Sequence, residues 1–151
     1  MTENRKYSDA VDSGSYPDSP IVPLDDKFVN GNGEIINLLF SPVQSVAHIR
    51  SVRGAVRANH YHQTDNHYAY LVTGSMLYFE RDIGSTEIPE PTRIRPGQMF
   101  FTPPMREHCM LFTQDSDLIT MAKNVRDHEH HEEDVVRVSF ITPDIAAKYL
   151  F

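Results

Sequence analysis

The apolar runs of this chain of 151 residues are short, and this feature restricts its possible folds more than any other. From residue 21 onward, brief apolar stretches are broken by turn residues, and ten prolines and seven glycines supply many of these breaks. The 3.6-residue period of an amphipathic helix is almost absent. Many short strands with regular interruptions are typical of a β-sandwich or β-barrel. We therefore predict an all-β domain.

The order of apolar and turn residues predicts the individual elements. A hairpin is expected where Phe28-Val29 precedes the turn at 30–33, since Asn and Gly favour tight hairpin turns. Strands are predicted at 34–40, 45–52, 67–72, 75–81, 91–95, 98–102, 108–113, 118–123 and 135–141, and a short helix at 144–150. Residues 1–20 are polar and predict a flexible N-terminal arm, which leaves 21–151 as a single domain.

Composition excludes several classes of partner. The net charge of −7 argues against nucleic acid, which binds clustered Lys and Arg. No apolar run is long enough to span a membrane, and the N-terminus lacks the apolar core of a secretory signal. The one cysteine, Cys109, excludes an internal disulfide and is consistent with the cytoplasm. We expect a small-molecule substrate, no nucleic acid and no membrane.

The segment from Gly54 to Gly74 contains the first group of residues that carries chemistry. His60 and His62 are two positions apart, so on a strand their side chains project to the same face. After a four-residue turn, His67 is placed to join them from the next strand. Converging imidazoles are good ligands for zinc, iron, nickel or copper, so this spacing predicts a metal site.

A second unit of similar plan runs from Gly97 through Pro103 to His108. If the two halves face each other across a barrel, His108 completes the cluster. Strand alternation then places His108, Met110 and Phe112 on the inward face, and Cys109 and Leu111 on the outward face. On that face Cys109 is expected to be inert core.

The two units resemble the two motifs of the cupin superfamily. Gly54, His60, His62, His67 and Gly74 match the first motif, with His67 where its glutamate usually stands. Gly97, Pro103 and His108 match the second, with Met105 in place of its glycine and Phe112 in place of its asparagine. The resemblance implies a double-stranded β-helix jelly roll that is often dimeric, with a site in the barrel mouth.

Two short strings are similar to particular branches of that superfamily. The segment 32–38 resembles dTDP-4-dehydrorhamnose 3,5-epimerases. The segment 56–62 resembles the cupin domain of capsular-polysaccharide-assembling proteins, with Ala58 where that string has glycine. Together they imply modification of a sugar nucleotide. Arg57 matches a position that helps to hold the substrate's phosphate in the epimerases; an exposed edge charge is the alternative.

Two chemistries fit these residues. In the first, His60, His62, His67 and His108 hold one divalent transition metal, zinc, nickel or iron, which acts as a Lewis acid. In the second, no metal is needed, and His60 or His62 takes a proton from a carbon beside a carbonyl, as in the related enzymes. Tyr70 or Tyr78 would then serve as the acid.

We predict a metal-binding cupin that isomerises or epimerises a sugar or sugar-nucleotide-like substrate by proton transfer. One alternative is an iron- or nickel-dependent dioxygenase or lyase acting on a small acid. Another is a cupin that binds a small ligand without turnover. The segment 127–134 is rich in His and acidic residues and is predicted to be a solvated loop, with a cover over the barrel mouth as the alternative.

Overall fold

Two five-stranded antiparallel sheets make up most of the fold. The computed structural model describes Val11 and residues 17–150, so the predicted N-terminal arm lies almost entirely outside the described residues. The strands are β1 (Ile21–Val22), β2 (Phe28–Asn30), β3 (Gly33–Ile35), β4 (Ser45–Ser51), β5 (Val56–His62), β6 (His67–Thr73), β7 (Met76–Asp82), β8 (Thr92–Ile94), β9 (Met99–Thr102), β10 (Arg106–Phe112), β11 (Ser116–Ala122) and β12 (Val135–Arg137); the helices are α1 (His128–Asp134) and α2 (Pro143–Ala147).

The sheets are built from strands that are distant in sequence. The first sheet has the order β1-β9-β6-β11-β4, and the second has the order β12-β5-β10-β7-β8. The predicted hairpin, β2–β3, forms a separate two-stranded ribbon. The all-β prediction is confirmed. In the part of the chain that the structure describes, no helix is long and apolar enough to cross a membrane.

The core lies in three apolar layers. Residues from both sheets, including Leu71, Phe100 and Phe112, fill the space between the sheets. Cys109 and Leu111 pack on the outer face of the second sheet, where the C-terminal segment covers them. The predicted alternation along β10 is therefore confirmed, because Met110 and Phe112 lie in the inner layer. The outer face of the first sheet is covered by the segment that follows β1.

Two predicted strands are wrong in part. The strand predicted at 34–40 ends at Ile35, because Leu38 and Leu39 pack against the outer face of the first sheet instead of pairing with a neighbour. The strand predicted at 135–141 ends at Arg137, and the residues after it pack on the second sheet. In both segments the apolar side chains cover a sheet without joining it.

The segment predicted as a solvated loop is the helix α1. Asp127 is its N-cap and accepts a hydrogen bond from the backbone N–H of His130, which satisfies one of the free donors at the helix start. β12 follows directly and pairs with β5, with Val135 opposite His62. This pairing holds α1 beside β5, the strand that carries His60 and His62. The predicted C-terminal helix is present as α2.

A bulge in β5 decides which side chains enter the barrel. Ala58 and Asn59 both have left-handed backbones, with φ of 66° and 59°, and the pairing of β5 with β10 shifts register there. The Asn59 side chain holds the bulge, because it donates to the carbonyl of Ile141 at 2.9 Å and accepts from its N–H at 3.0 Å. Residues three positions apart on a regular strand point to opposite faces. The extra residue of the bulge reverses this alternation, so Arg57 and His60 line the same cavity.

The bulge also explains a departure from the motif string. Glycine stands at the position of Ala58 in the resembling sequence, and glycine adopts a left-handed backbone without strain. Met105, which replaces the glycine of the second motif, likewise has φ of 58°. A non-glycine residue in this region costs roughly 1–2 kcal/mol. Ala58 and Met105 therefore keep the left-handed backbone of the glycines that they replace, and they do so with some strain.

Candidate metal and substrate site

The four histidines of the predicted site lie together inside the barrel. His60 and His62 are on β5, His67 begins β6, and His108 is on β10, directly opposite His60. The His60 ring centroid is 4.8 Å from that of His62 and 4.9 Å from that of His108. The His67 ring lies 5.5 Å from His62 and 5.8 Å from His108. All four side chains are buried.

Each ring has a buried nitrogen without a hydrogen-bond partner: Nδ1 of His60 and His67, and Nε2 of His62 and His108. Buried polar atoms are nearly always paired, so four unpaired atoms in one cluster call for a ligand. His60, His62 and His108 each offer a ligand atom within 4.8 Å of the others, whereas His67 lies beside this group. The donor set fits zinc, nickel or iron better than magnesium or calcium.

The imidazoles are neutral at physiological pH. Burial is the main cause that lowers the pKa of His60, His62 and His108 to about 3, and neighbouring positive groups lower it further. Burial also lowers the pKa of His67 well below its ordinary value. Neutral imidazole is the form that binds a metal ion. A pKa this low makes the same rings weak proton acceptors at pH 7.

Asp134 fixes the orientation of His62. Its Oδ2 lies 2.9 Å from His62 Nδ1, and its other oxygen accepts from the backbone N–H and hydroxyl of Thr64. Burial tends to raise the pKa of Asp134, but the hydrogen bonds from Thr64 and His62 outweigh it and keep the carboxyl ionised. This contact favours the tautomer whose free Nε2 points into the cluster, as carboxylates do for metal-binding histidines.

Two further residues at the site were missed by sequence reasoning. His131, on α1, has its ring centroid 5.8 Å from those of His60 and His62. Arg126, just before α1, is mostly buried, and its Nη2 lies 3.4 Å from His131 Nδ1. The only available signal was the density of His and acidic residues at 127–134, which is equally common in solvated loops.

An inner cavity of about 160 Å³ adjoins the cluster. Its lining includes His60, His67, His108, Arg57, Arg126 and His131. Arg57 is exposed, as the alternative interpretation expects, but its Nε donates to Ser51 Oγ at 2.7 Å and its Nη2 to the carbonyl of Arg50 at 3.1 Å. Its guanidinium is thereby held at the cavity, where the sequence predicts substrate binding.

Neither predicted tyrosine is placed to act as the acid. Tyr70 packs with the outer layer of the first sheet, on the strand face opposite His67. Tyr78 faces inward, 6.3 Å from His108 between ring centroids, but its hydroxyl contacts Glu80 and Thr102 at 2.9 Å each. Burial raises its pKa well above the ordinary value, and it does not line the cavity. We correct the prediction and assign both tyrosines to packing.

Several solved structures with a similar fold are sugar ketoisomerases and epimerases. No protein-family model matches the sequence, and no curated protein matches it. The sugar 3,4-ketoisomerase QdtA from Thermoanaerobacterium thermosaccharolyticum, solved with TDP, has a TM-score of 0.62 at 16% identity, over 83% of this chain and 93% of that chain.

Two epimerases are similarly close. The 3'-monoepimerase ChmJ from Streptomyces bikiniensis, solved with dTDP-quinovose, has a TM-score of 0.66 at 17% identity, over 84% of this chain and 73% of that chain. The 3,5-epimerase RmlC from Legionella pneumophila has a TM-score of 0.63 at 14% identity, over 83% and 75%. The chain therefore has the cupin jelly-roll fold of these ketoisomerases and epimerases.

Proposed function

We propose that the protein binds one divalent transition metal and isomerises or epimerises a sugar or sugar-nucleotide-like substrate by proton transfer. The observation that carries the proposal is the cluster of four buried, neutral imidazoles, each with an unpaired ring nitrogen. His60, His62 and His108 would hold the ion, with His67 beside them. Zinc, nickel and iron fit this donor set.

A bound ion would act as a Lewis acid that polarises a substrate carbonyl. The protein's own residues supply the remaining parts of the site. Asp134 holds the His62 ring, and Arg57 presents a fixed guanidinium to the substrate. His131 lies outside the ligand group and at the cavity, and we assign it the transfer of the proton; burial lowers its pKa too, but it is less buried than His60 and His62.

The pKa values favour metal binding over the metal-free alternative. If His60 or His62 were the base, a pKa of about 3 would leave it with little affinity for a proton at neutral pH. The substrate class is supported by the similar structures, one of which is a variant of QdtA in complex with TDP-4-keto-6-deoxyglucose. A keto sugar has the acidic C–H group beside a carbonyl that this chemistry needs.

The proposal is tested by proton exchange. Incubating the metal-loaded protein with TDP-4-keto-6-deoxyglucose in D₂O is expected to replace the proton on a carbon beside the keto group with deuterium, as measured by NMR. The variant His131→Ala is expected to slow this exchange by about 100-fold, the lower range for loss of a general base. His48→Ala is the matched control, because His48 is exposed on β4 and lines neither the cavity nor the clefts beside α1. Wild-type protein without exchange would overturn the proposed reaction.

We infer that the protein is a homodimer held in part by the β2–β3 ribbon. A lone two-stranded ribbon is barely stable in water, yet Phe28 and Ile35, which are paired across it, are each 59% exposed. Val29, at 66%, is exposed as well. An isologous contact with a second copy would cover such a surface.

Charge at the ribbon is expected to separate the subunits. The variant Phe28→Glu/Ile35→Glu should have the mass of one 17.3 kDa chain by light scattering, whereas the wild type should have twice that mass. The control is Val72→Glu/Ile88→Glu, which places two glutamates at exposed apolar positions outside the ribbon. A ribbon variant that remains dimeric would contradict the inferred interface.

A further inference from the structure

Arg126 lies where the inner cavity adjoins two outer clefts. Two outer clefts of about 420 and 500 Å³ lie beside α1, and both are lined by Gln44, Arg126 and His131. Arg126 and His131 also line the inner cavity. The backbone N–H of Arg126 donates to Ser45 Oγ at 2.8 Å, which fixes the chain at this point. A molecule that extends from the inner cavity into either cleft must pass this guanidinium.

The side chains that line the inner cavity carry positive charge, although Asp65 and Asp134 outside the lining interact with Arg126. Among the described residues that line it, Arg57 and Arg126 are the charged ones, and none carries a carboxylate. A small cavity with low-dielectric walls strengthens the field of such charges. The lining therefore attracts a negatively charged group.

Arg126 is half-buried, and the contacts of its guanidinium, which has five donors, to neighbouring side chains are long. Its Nε lies 3.8 Å from Asp65 Oδ2, beyond normal hydrogen-bond length. The other oxygen of Asp65 accepts from the backbone N–H of Asn124 at 2.9 Å, so this carboxylate is already engaged. The Nη2 contact to His131 is long, at 3.4 Å. These long contacts leave the guanidinium able to bind a further acceptor at the junction, and the fork geometry of arginine fits an oxyanion.

We propose that Arg126 binds an oxyanion of the substrate, a carboxylate or a phosphate, at the junction of the inner cavity and the outer clefts. The reacting part of the substrate then lies among the histidines, and the larger part lies outside. This proposal rests on the proposed function in taking the inner cavity as the substrate site. Anion binding itself needs neither a metal nor turnover, so the two proposals can fail separately.

Calorimetric titration tests the site with two probes. Protein freed of metal with EDTA, and then dialysed free of EDTA, is titrated with inorganic pyrophosphate and with oxalate. The wild type is expected to bind at least one of them with one-to-one stoichiometry. A preference for pyrophosphate identifies a phosphate-bearing substrate such as a sugar nucleotide, and a preference for oxalate identifies a small acid. Absence of binding by both probes would overturn the proposal.

Variants assign the binding to Arg126. Arg126→Gln is expected to weaken binding about 10-fold or more, since a charge-assisted hydrogen bond contributes on the order of 1.5–3 kcal/mol. Arg137→Gln is the matched control, because it removes the same charge from an exposed residue beside α1 that pairs with Glu132. Its effect should be less than about 2-fold, as for a screened surface charge. Equal losses in the two variants would contradict the assignment.

A charge-neutralising variant covers the case in which Arg126→Gln fails to fold. Asp65→Asn keeps an oxygen that can accept from Asn124 but removes the carboxylate nearest to Arg126. It is expected to tighten binding of the preferred probe several-fold, because the anion no longer competes with Asp65. Binding that is unchanged or weaker in this variant would overturn the role of Arg126. Anion binding without deuterium exchange would support the anion site at Arg126 and contradict the proposed reaction.

Discussion

Replacing His60 and His62 together with alanine is expected to remove the metal from the protein. Wild-type protein should contain about one equivalent of a transition metal by elemental mass spectrometry. The double variant keeps His108 as the one remaining member of the three-histidine group. Because loss of a single outer-shell partner already lowers metal affinity by about 10- to 100-fold, loss of two ligands should lower it by more than about 100-fold.

The control for this experiment removes two histidines that lie outside the cluster. His48 on β4 is half exposed and pairs with Asp117, and His128 is exposed on α1. The variant His48→Ala/His128→Ala should therefore keep the full metal content. Equal metal contents in the two double variants would contradict the ligand assignment. A wild-type protein that contains no metal at neutral pH would favour proton transfer by a ring nitrogen alone.

Acid is expected to destabilise the metal-free protein strongly. His60, His62 and His108 have pKa values of about 3 when folded, against 6.5 for an ordinary histidine. Between these values the unfolded chain binds more protons than the folded chain, so the free energy of unfolding falls as the pH falls from about 6.5 toward 3. Each histidine contributes up to about 1.4 kcal/mol per pH unit, so three contribute about 4 kcal/mol per unit.

Urea unfolding at pH 8, 7, 6 and 5 measures this dependence. Stability should be nearly constant from pH 8 to 7 and then fall by several kcal/mol by pH 5. The variant His60→Ala/His62→Ala should show about half of the slope, because it retains two of the four histidines whose pKa burial lowers, His67 and His108. The carboxyls of buried Asp65 and half-buried Glu80 oppose the trend, since desolvation raises their pKa. An unchanged stability between pH 7 and pH 5 would show that the imidazoles are not buried as described.

Most strands of the fold were predictable because their signals are local. The runs at 45–52, 67–72, 75–81 and 98–102 correspond to β4, β6, β7 and β9 within a few residues. Turn residues bound these runs, and turn chemistry acts within a few positions of the chain. The strands at 34–40 and 135–141 were predicted too long, because a segment that covers a sheet with apolar side chains has the same sequence pattern as a strand that pairs within it.

The residues of the site were likewise predictable only where the signal is local. The spacing of His60, His62 and His108 predicts that they meet, since alternation and motif order are both read from the chain. The tyrosines did not follow from spacing, because a hydroxyl's partners come from other strands; Tyr78 is engaged by Thr102 on β9. No spacing rule connects the histidines with Arg126, His131 and Asp134. Only the packing of these three residues against β5 makes them part of the site.

By itself, the sequence determined the all-β architecture, the inward face of β10 and the identity of the clustered imidazoles. These depend on side-chain alternation, which repeats every two residues of any strand. Only the tertiary structure decided that the bulge at Ala58 and Asn59 turns Arg57 into the cavity, and that Arg126 and the following helix α1 bring a positive charge and a fifth imidazole to it. Such effects arise from pairing between residues far apart in the chain, and no local pattern records which distant strand or helix a segment will meet.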